Sequence, residues 1–421
     1  MSKLDKLLRE LCPDGVECVK LGTLCSLITK QTGFDYTNHI KARLLMEPAE
    51  NAVPYIQTKF FAGKNFNYQT DYYVPMDIVE QFPKITLDEK CILFSIVGAS
   101  IGNVGLFPGE RKCFLGGAIC VAKVLPQYDV DYVYYCVESH NVQHQIRRKT
   151  KGAGQATITV EDIREFEIPL PPIEIQSEIV RILDNFTNLT AELVKELTAR
   201  KTQYGYYRNK FLDFESSVSV KTIGDICDVV VGGEPPTDCI KGDVRDSTHI
   251  YPVWGNGKEV YGYSGTYKID RDAVVISSIG ANTGAVYYKE AFFTPIIRLK
   301  VILPKDNRIN ARFLFHALSG TTIKSKSSSV PNMNANEIKA IKIPVPPLDV
   351  QNRIVNVLDN FEKICSDLNI GLPAEIEARQ KQYEYYRDKL LTFAETGNTI
   401  LSRAEQSRAE QSRAEQSRAE H

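Results

Sequence analysis

Ile168-Pro-Leu-Pro-Pro172 recurs as Ile343-Pro-Val-Pro-Pro347, 343 − 168 = 175 positions later. The echo runs on through Gln176, Ile179-Val180 and Leu183-Asp-Asn-Phe186, matched by Gln351, Ile354-Val355 and Leu358-Asp-Asn-Phe361. It closes with Gln203-Tyr-Gly-Tyr-Tyr-Arg208 against Gln382-Tyr-Glu-Tyr-Tyr-Arg387. A chain with two such halves has a pseudo-two-fold arrangement available within one polypeptide, suited to two partners or to two halves of one ligand.

After each proline run the apolar residues keep a helical period. They fall at Ile175, Ile179, Ile182, Phe186, Leu189 and Leu193, and again at Val350, Ile354, Val357, Phe361, Ile364 and Leu368. Both series step by four, three, four, three and four residues, which predicts a heptad seam between helices. The second copy is four residues longer (offset 175 at Phe186/Phe361, 179 at Arg208/Arg387), and Gly371-Leu-Pro373 in that stretch predicts a helix that stops and restarts.

The stretches between the copies read as strand-rich. Cys91-Ile-Leu-Phe-Ser-Ile-Val97, ended by Gly98, has a counterpart in Ala273-Val-Val-Ile-Ser-Ser-Ile279, ended by Gly280. Gly98-Ala-Ser-Ile-Gly102 then matches Gly280-Ala-Asn-Thr-Gly284. The expected architecture is α/β (α+β): two similar mixed α/β globules separated by two long antiparallel coiled-coil helices. Its parts are an N-terminal helix (1–17), a first globule (18–167), a central helical spacer (168–214), a second globule (215–342), a C-terminal helical spacer (343–395) and a low-complexity tail (396–421).

Composition narrows the function classes. Of 421 residues, 43% are hydrophobic and 24% charged, ordinary for globular domains, and the formal net charge of −1 leaves only local basic patches for an anionic partner. There is no membrane-length apolar run and no secretory h-region at the N-terminus. The ten cysteines form no C-x-x-C pair and read as reduced, mostly buried thiols rather than zinc ligands. No phosphate loop of the G-x-x-x-x-G-K-[ST] type and no Asn-Pro-Pro-aromatic methyltransferase motif occurs, and no catalytic or metal-binding constellation stands out. His140 and His144 have helical metal-pair spacing but lack a third ligand.

Anion-binding candidates come in a duplicated place. Arg147, Arg148, Lys149 and Lys151 precede a small-residue loop carrying Gln155; Lys324 and Lys326 precede one carrying Asn332 and Asn334. Lys and Arg neutralise phosphates, and Gln or Asn pairs with an adenine edge. The glycine loops read as tight turns between strands, and Tyr55-Ile-Gln57-Thr-Lys59 and Tyr251–Lys258 as lesser candidates.

The layout resembles the specificity (S) subunits of type I restriction–modification systems, in its Pro-rich openings, the following Gln and heptad helix, and the Gln-Tyr-x-Tyr-Tyr-Arg closings. Leu11-Cys-Pro-Asp-Gly-Val-Glu17 and Gly371-Leu-Pro-Ala-Glu-Ile376 also look like that family, and the spacer around Thr190-Ala-Glu-Leu193 resembles its type IC subgroup. The resemblance covers almost all of residues 1–395. It implies a non-catalytic, DNA-binding subunit of the bacterial cytoplasm. Its two target-recognition domains would read the halves of a split double-stranded site, and its helices would set the spacing and dock two modification (methyltransferase) subunits. Restriction (endonuclease and translocase) subunits complete such complexes. S-adenosylmethionine, ATP and Mg belong to the partner subunits, with no cofactor in this chain. The other reading open to these residues is a coiled-coil adaptor whose globules bind proteins.

Ser402-Arg-Ala-Glu-Gln406 repeats at Ser407 and Ser412, then partly at Ser417. The codons AGC AGA GCA GAG CAG spell that unit as repeats of AGCAG, a tract in which replication slippage shifts the reading frame. The coding DNA is expected to show this pentamer periodicity, the basis for phase variation; mixed synonymous codons without it would exclude the switch.

Overall fold

The computed structural model describes residues 2–32, 36–150, 156–214, 218–243, 245–280, 282–319, 333–367 and 370–392. The chain divides into two compact units: residues 1–191 with 378–421, and residues 192–377. The second is contiguous in sequence; the first is closed by a segment from the far end of the chain.

The first unit opens with α1 (Lys3–Leu11), begun by a capping box in which Ser2 and Asp5 satisfy each other's backbone N–H. Lys3 Nζ reaches Glu178 Oε2 at 2.9 Å. A four-stranded antiparallel sheet follows, in the order β2 (Cys25–Lys30), β5 (Ile119–Val124), β3 (Cys91–Ser95), β4 (Val104–Phe107). Every residue of β3 is buried because side chains alternate between two cores. Ile92 and Phe94 face one core, with helix α2 (Val130–Glu138), while Cys91 and Leu93 face the other. That second core is shared with a smaller sheet ordered 73–75, 52–56, 113–115, 86–87. The globule's two ends meet where β1 (Cys18–Lys20) pairs with β6 (Glu167–Pro169), Val19 opposite Ile168. The Pro-rich stretch is thus the last strand of its globule, and from it α3 (Ile173–Leu212) departs.

The second unit repeats the plan. β7 (Val220–Thr222) pairs with β12 (Lys342–Pro344). The main sheet runs β8 (Cys227–Val231), β11 (Lys300–Pro304), β9 (Ala273–Ile276), β10 (Val286–Lys289). In β9, Val274 and Ile276 face one core and Ala273 and Val275 the other. Helix α4 (Ala311–Ser319) stands where α2 stands in the first unit. The companion sheet is ordered 240–241, 262–264, 251–254, 294–295. As the Gly-Leu-Pro run predicts, the second long helix is broken, into α5 (Leu348–Ser366) and α6 (Leu372–Leu390). A Cβ on Gly371 would lie 2.6 Å from the carbonyl oxygens of Lys363 and Asp367, so only glycine fits against the end of α5. A further echo passes unnoticed in the sequence: Leu21-Gly22 and Ile223-Gly224 occupy matching bends, donating backbone N–H groups to Phe166 O and Ile341 O.

Both glycine loops are tight hairpin turns. Gly98, Gly102, Gly280 and Gly284 have φ of 79°, 89°, 80° and 90°, and the bonds Gly102 N→Ser95 O and Gly284 N→Ser277 O close them identically. All ten cysteines are free and six are buried; burial pushes the Cys120 and Cys136 thiols up to about 12. Among the described residues no helix is long and apolar enough to cross a membrane.

The repeated glutamine has a definite task. Buried Gln176 donates to Pro171 O at 2.7 Å and accepts from the Asp129 N–H at 3.1 Å, while Asp129 itself caps α2. Gln351 does the same with Pro346 O and the Asn310 N–H, and adds Arg308 O. An orphaned buried polar group costs about 1–3 kcal/mol. Gln351→Leu is therefore expected to destabilise the second unit by about 2–4 kcal/mol. Denaturant titration followed by fluorescence of Trp254, the single tryptophan, checks this.

Candidate nucleic-acid interface and helical junctions

Arg147 and Arg148 lie exposed in the last turn of the helix His140–Lys149, where cations also favour the helix terminus. Lys149 turns back on its own globule, with Nζ 3.4 Å from Asp162 O and 5.9 Å from the Phe166 ring centre. Lys151, Gln155, Lys324, Lys326 and Asn332 lie outside the described residues. Asn334 lies at the start of a short helix. Its Oδ1 accepts from the Glu337 N–H at 2.9 Å and caps the helix Ala335–Lys339. Thr159 holds the matching cap in the first unit.

The lesser candidates divide. Tyr55 belongs to the core, its hydroxyl accepting from the Gly117 N–H. Trp254 packs beneath Lys289, whose Nζ sits 3.0 Å from the ring centre. Burial lowers the Lys289 amine to about 8. Beside them opens a cleft of about 590 Å³ lined by Arg245, Tyr251, Tyr263 and Tyr288 among others. In the second unit several segments converge on two fully buried serines. Asn256 Oδ1 accepts from the Ser278 N–H at 2.7 Å, Ser278 O accepts from the Met333 N–H at 2.9 Å, and the Gly280–Gly284 turn follows directly. Ile96 O and the Ile158 N–H form the corresponding bond in the first unit.

The heptad positions differ in their exposure. Ile175, Ile179 and Ile354 are buried, and Ile182, Phe186, Leu193, Val350 and Phe361 half-buried, but Leu189, Val357 and Ile364 are 49%, 41% and 41% exposed. Leu368 lies outside the described residues. The buried positions are 175, 176, 178, 179 and 183 in the first helix and 351, 354, 355, 358 and 365 in the second; apart from 365 they follow the wider stripe of a helix packed on a globule. Each long helix first serves its own globule's core, with Leu183 and Leu358 fully buried there.

Helix–helix contact enters through aromatic side chains, exchanged between the two copies of the repeat. In the first unit Phe186 stacks on Tyr386, ring centres 5.3 Å apart and planes at 20°. In the second Phe361 stacks on Tyr207 at 5.6 Å and 26°. Each opening Phe thus meets a closing Tyr of the other copy. Beneath each stack is a polar junction. In the first, Tyr135 donates to Asp184 at 2.6 Å, Lys64 bridges Asp184 and Asp131, and Tyr383 donates to Glu138. In the second, His316 takes the place of Tyr135. Its Nε2 donates to Asp359 at 2.7 Å, and Tyr204 donates to its Nδ1 at 3.2 Å. Burial, partly opposed by Asp359, lowers the His316 pKa, which fits the neutral tautomer this pattern requires.

His316, Asp359 and Glu362 are also the three-donor group among the described residues whose ligand atoms lie within 4.8 Å of one another. Arg312 already ion-pairs with both carboxylates and the histidine N–H is spent on Asp359, so the cluster is a filled salt-bridge network rather than an open metal site.

A family model described as "Type I restriction modification DNA specificity domain" matches residues 13–200 and again 215–378. The EcoR124I/EcoR124II specificity subunit of Escherichia coli is 36% identical over 258 residues, covering 55% of this chain and 63% of that protein. The type I specificity subunit S.MpnORF507P of Mycoplasma pneumoniae is 31% identical over 241 residues, covering 55% and 65%. S.MpnORF89P of the same organism is 34% identical over 257 residues, covering 56% and 76%. The chain therefore spans 63% and 65% of the first two relatives. In fold it is similar to a type I restriction–modification S subunit from M. genitalium, with a TM-score of 0.55, 18% identity, and coverage of 90% and 97%. A structure from a study of type I complex assembly and conformational transition gives 0.59 at 14% identity, with coverage of 90% and 98%.

Phe186→Asp removes one aromatic stack and places a charge beside Tyr386. It is expected to accelerate amide exchange across residues 378–392 while leaving β3 and β5 protected, as read by hydrogen exchange with mass spectrometry.

Proposed function

The chain belongs to the family of type I restriction modification DNA specificity domains, and on that premise we propose that it is the specificity subunit of a type I restriction–modification complex in the bacterial cytoplasm. Each globule reads one half of an asymmetric, split double-stranded site. The helices set the spacing and dock two modification subunits, and restriction subunits complete the assembly. This chain is the non-catalytic member; the partners carry methyl transfer, with S-adenosylmethionine, and ATP- and Mg-dependent cleavage.

The observation that carries this reading is the double occurrence of one specificity domain, each copy a two-sheet globule handing over to a helix through the same buried glutamine. Two like partners are supported by like surfaces. Leu189 and Ile364, at matched positions, are exposed, as are Tyr385 and Tyr206, each with a lysine 5.5 or 5.8 Å over its ring. Tyr is among the residues enriched where protein interfaces bind most strongly.

The test is a gel shift of the chain with its modification partner against a library of split sites. Sequence-selective, salt-sensitive binding is expected; a complex without it at every spacing overturns the reading and favours a protein adaptor. A second expectation concerns the ruler. Four residues inserted after Leu193 add about 6 Å of helix, so the recognised spacer should lengthen by about one to two base pairs at about 3.4 Å each. Both half-sites should be unchanged when the modified DNA is sequenced.

A further inference from the structure

One turn of the second unit is held in a conformation that its residues do not favour. Between the strand 294–295 and β11, Ile297 and Arg298 have φ of 51° and 58°. This left-handed region is rare for non-glycine residues and a genuine outlier for a β-branched one. The surroundings impose it. The Ile297 N–H donates to Gly233 O at 2.8 Å and the Arg298 N–H to Gly232 O at 3.0 Å. Asn256 Nδ2 donates to Ile297 O. Arg298 O accepts from Ser278 Oγ at 2.7 Å and from Lys300 Nζ at 3.1 Å. Gly232 has to be glycine, since a Cβ there would lie 2.8 Å from Ile296 N.

This scaffolding fixes the backbone and leaves both side chains outside. Ile297 is 42% exposed and Arg298 is exposed. The guanidinium of Arg298 has no hydrogen-bond or ion-pair partner among the described residues. The turn stands on the same Asn256–Ser278 hub from which the Gly280–Gly284 hairpin and the Met333 backbone depart. Among its described residues the first unit has no non-glycine residue in this conformation. Val121 opposite Leu93 corresponds to Val301 opposite Val275, which equates Ile297-Arg298 with Gly117-Ala118, residues without reach.

Overdetermined strain accompanies function because something must be held in place. A phosphate contact needs no such rigidity, whereas reading a base edge does: a guanidinium fork pairs with guanine O6 and N7 only in a fixed geometry. We propose that Arg298, presented on the strained Ile297-Arg298 turn, reads a guanine in the half-site of the second globule, a contact that the first globule lacks. The inference rests on the specificity-subunit reading above.

The test uses the full chain assembled with its modification partner. The site is read by sequencing DNA that the complex has methylated, and affinity by salt titration on the wild-type site. Arg298→Lys keeps the charge and removes the fork. Arg298→Gly removes both and accepts the left-handed φ, so the turn is retained, with a thermal midpoint at or above wild type. Both variants should lose guanine preference at one position of one half-site by roughly 5- to 150-fold, with the other half-site and the spacing unchanged. The inference is overturned if Arg298→Lys behaves as wild type while Arg298→Gly loses affinity uniformly with a salt slope shallower by about one, which marks a phosphate contact. It is equally overturned if neither variant changes the site. A wild-type complex that selects no sequence fails the specificity reading itself; a selective wild type with unmoved variants fails this inference alone.

Discussion

The structure turns on a buried amide. Gln176 and Gln351 each tie three things together: the carbonyl of a proline at the end of a globule, the first turn of a long helix, and the N-cap of the helix that covers the globule's sheet. A buried amide that satisfies such groups fixes direction as well as position, because its donor and acceptor must each meet the right partner. The two prolines before it make the exit stiff. The polar contacts further along each helix, at Asp184 and Asp359, add to a direction that this clamp sets at the first turn.

Around that constant the two units vary freely. The junction below each aromatic stack keeps one aspartate, Asp184 or Asp359, and changes nearly everything facing it: Tyr135 becomes His316, and Lys64 gives way to Arg312 from a different element. What persists is a satisfied carboxylate, whichever donor supplies the proton. The same tolerance extends to the outer sheets, which share one parallel strand pair but differ in strand order. A frame that depends on so few fixed contacts lets its globules diverge.

Much of this was legible in the sequence. The repeated prolines and glutamine, the apolar runs of β3 and β9 and the Gly-Leu-Pro break all report local demands that one or a few residues satisfy alone. Period alone does not say what a helix faces: the rows that include Leu183 and Leu358 serve the globules, while Val357 and Ile364 are exposed. The helix cap made by Asn334 is a second role that the sequence leaves open, since an amide before a short helix caps it as readily as it meets a base. Arg298 gave no signal at all. Pro-Ile-Ile-Arg-Leu-Lys reads as a plain strand, and only contacts from Gly232, Gly233, Asn256 and Ser278, distant in sequence, bend it into a left-handed turn.

The division of the chain also has a consequence in the order of synthesis. The second unit, residues 192–377, is contiguous and has all its parts once residue 377 is made. The first unit begins earlier yet is completed later, because Tyr383, Tyr386 and Arg387 close it from the far end of the chain. A nascent chain therefore holds an unfinished first unit through the whole making of the second, with the rings of Tyr135 and Phe186 awaiting Tyr383 and Tyr386. The repeated Ser-Arg-Ala-Glu-Gln units come only after these closing residues. A change of reading frame within them would leave untouched every residue named here as closing the first unit, and would alter only what the ribosome adds afterwards.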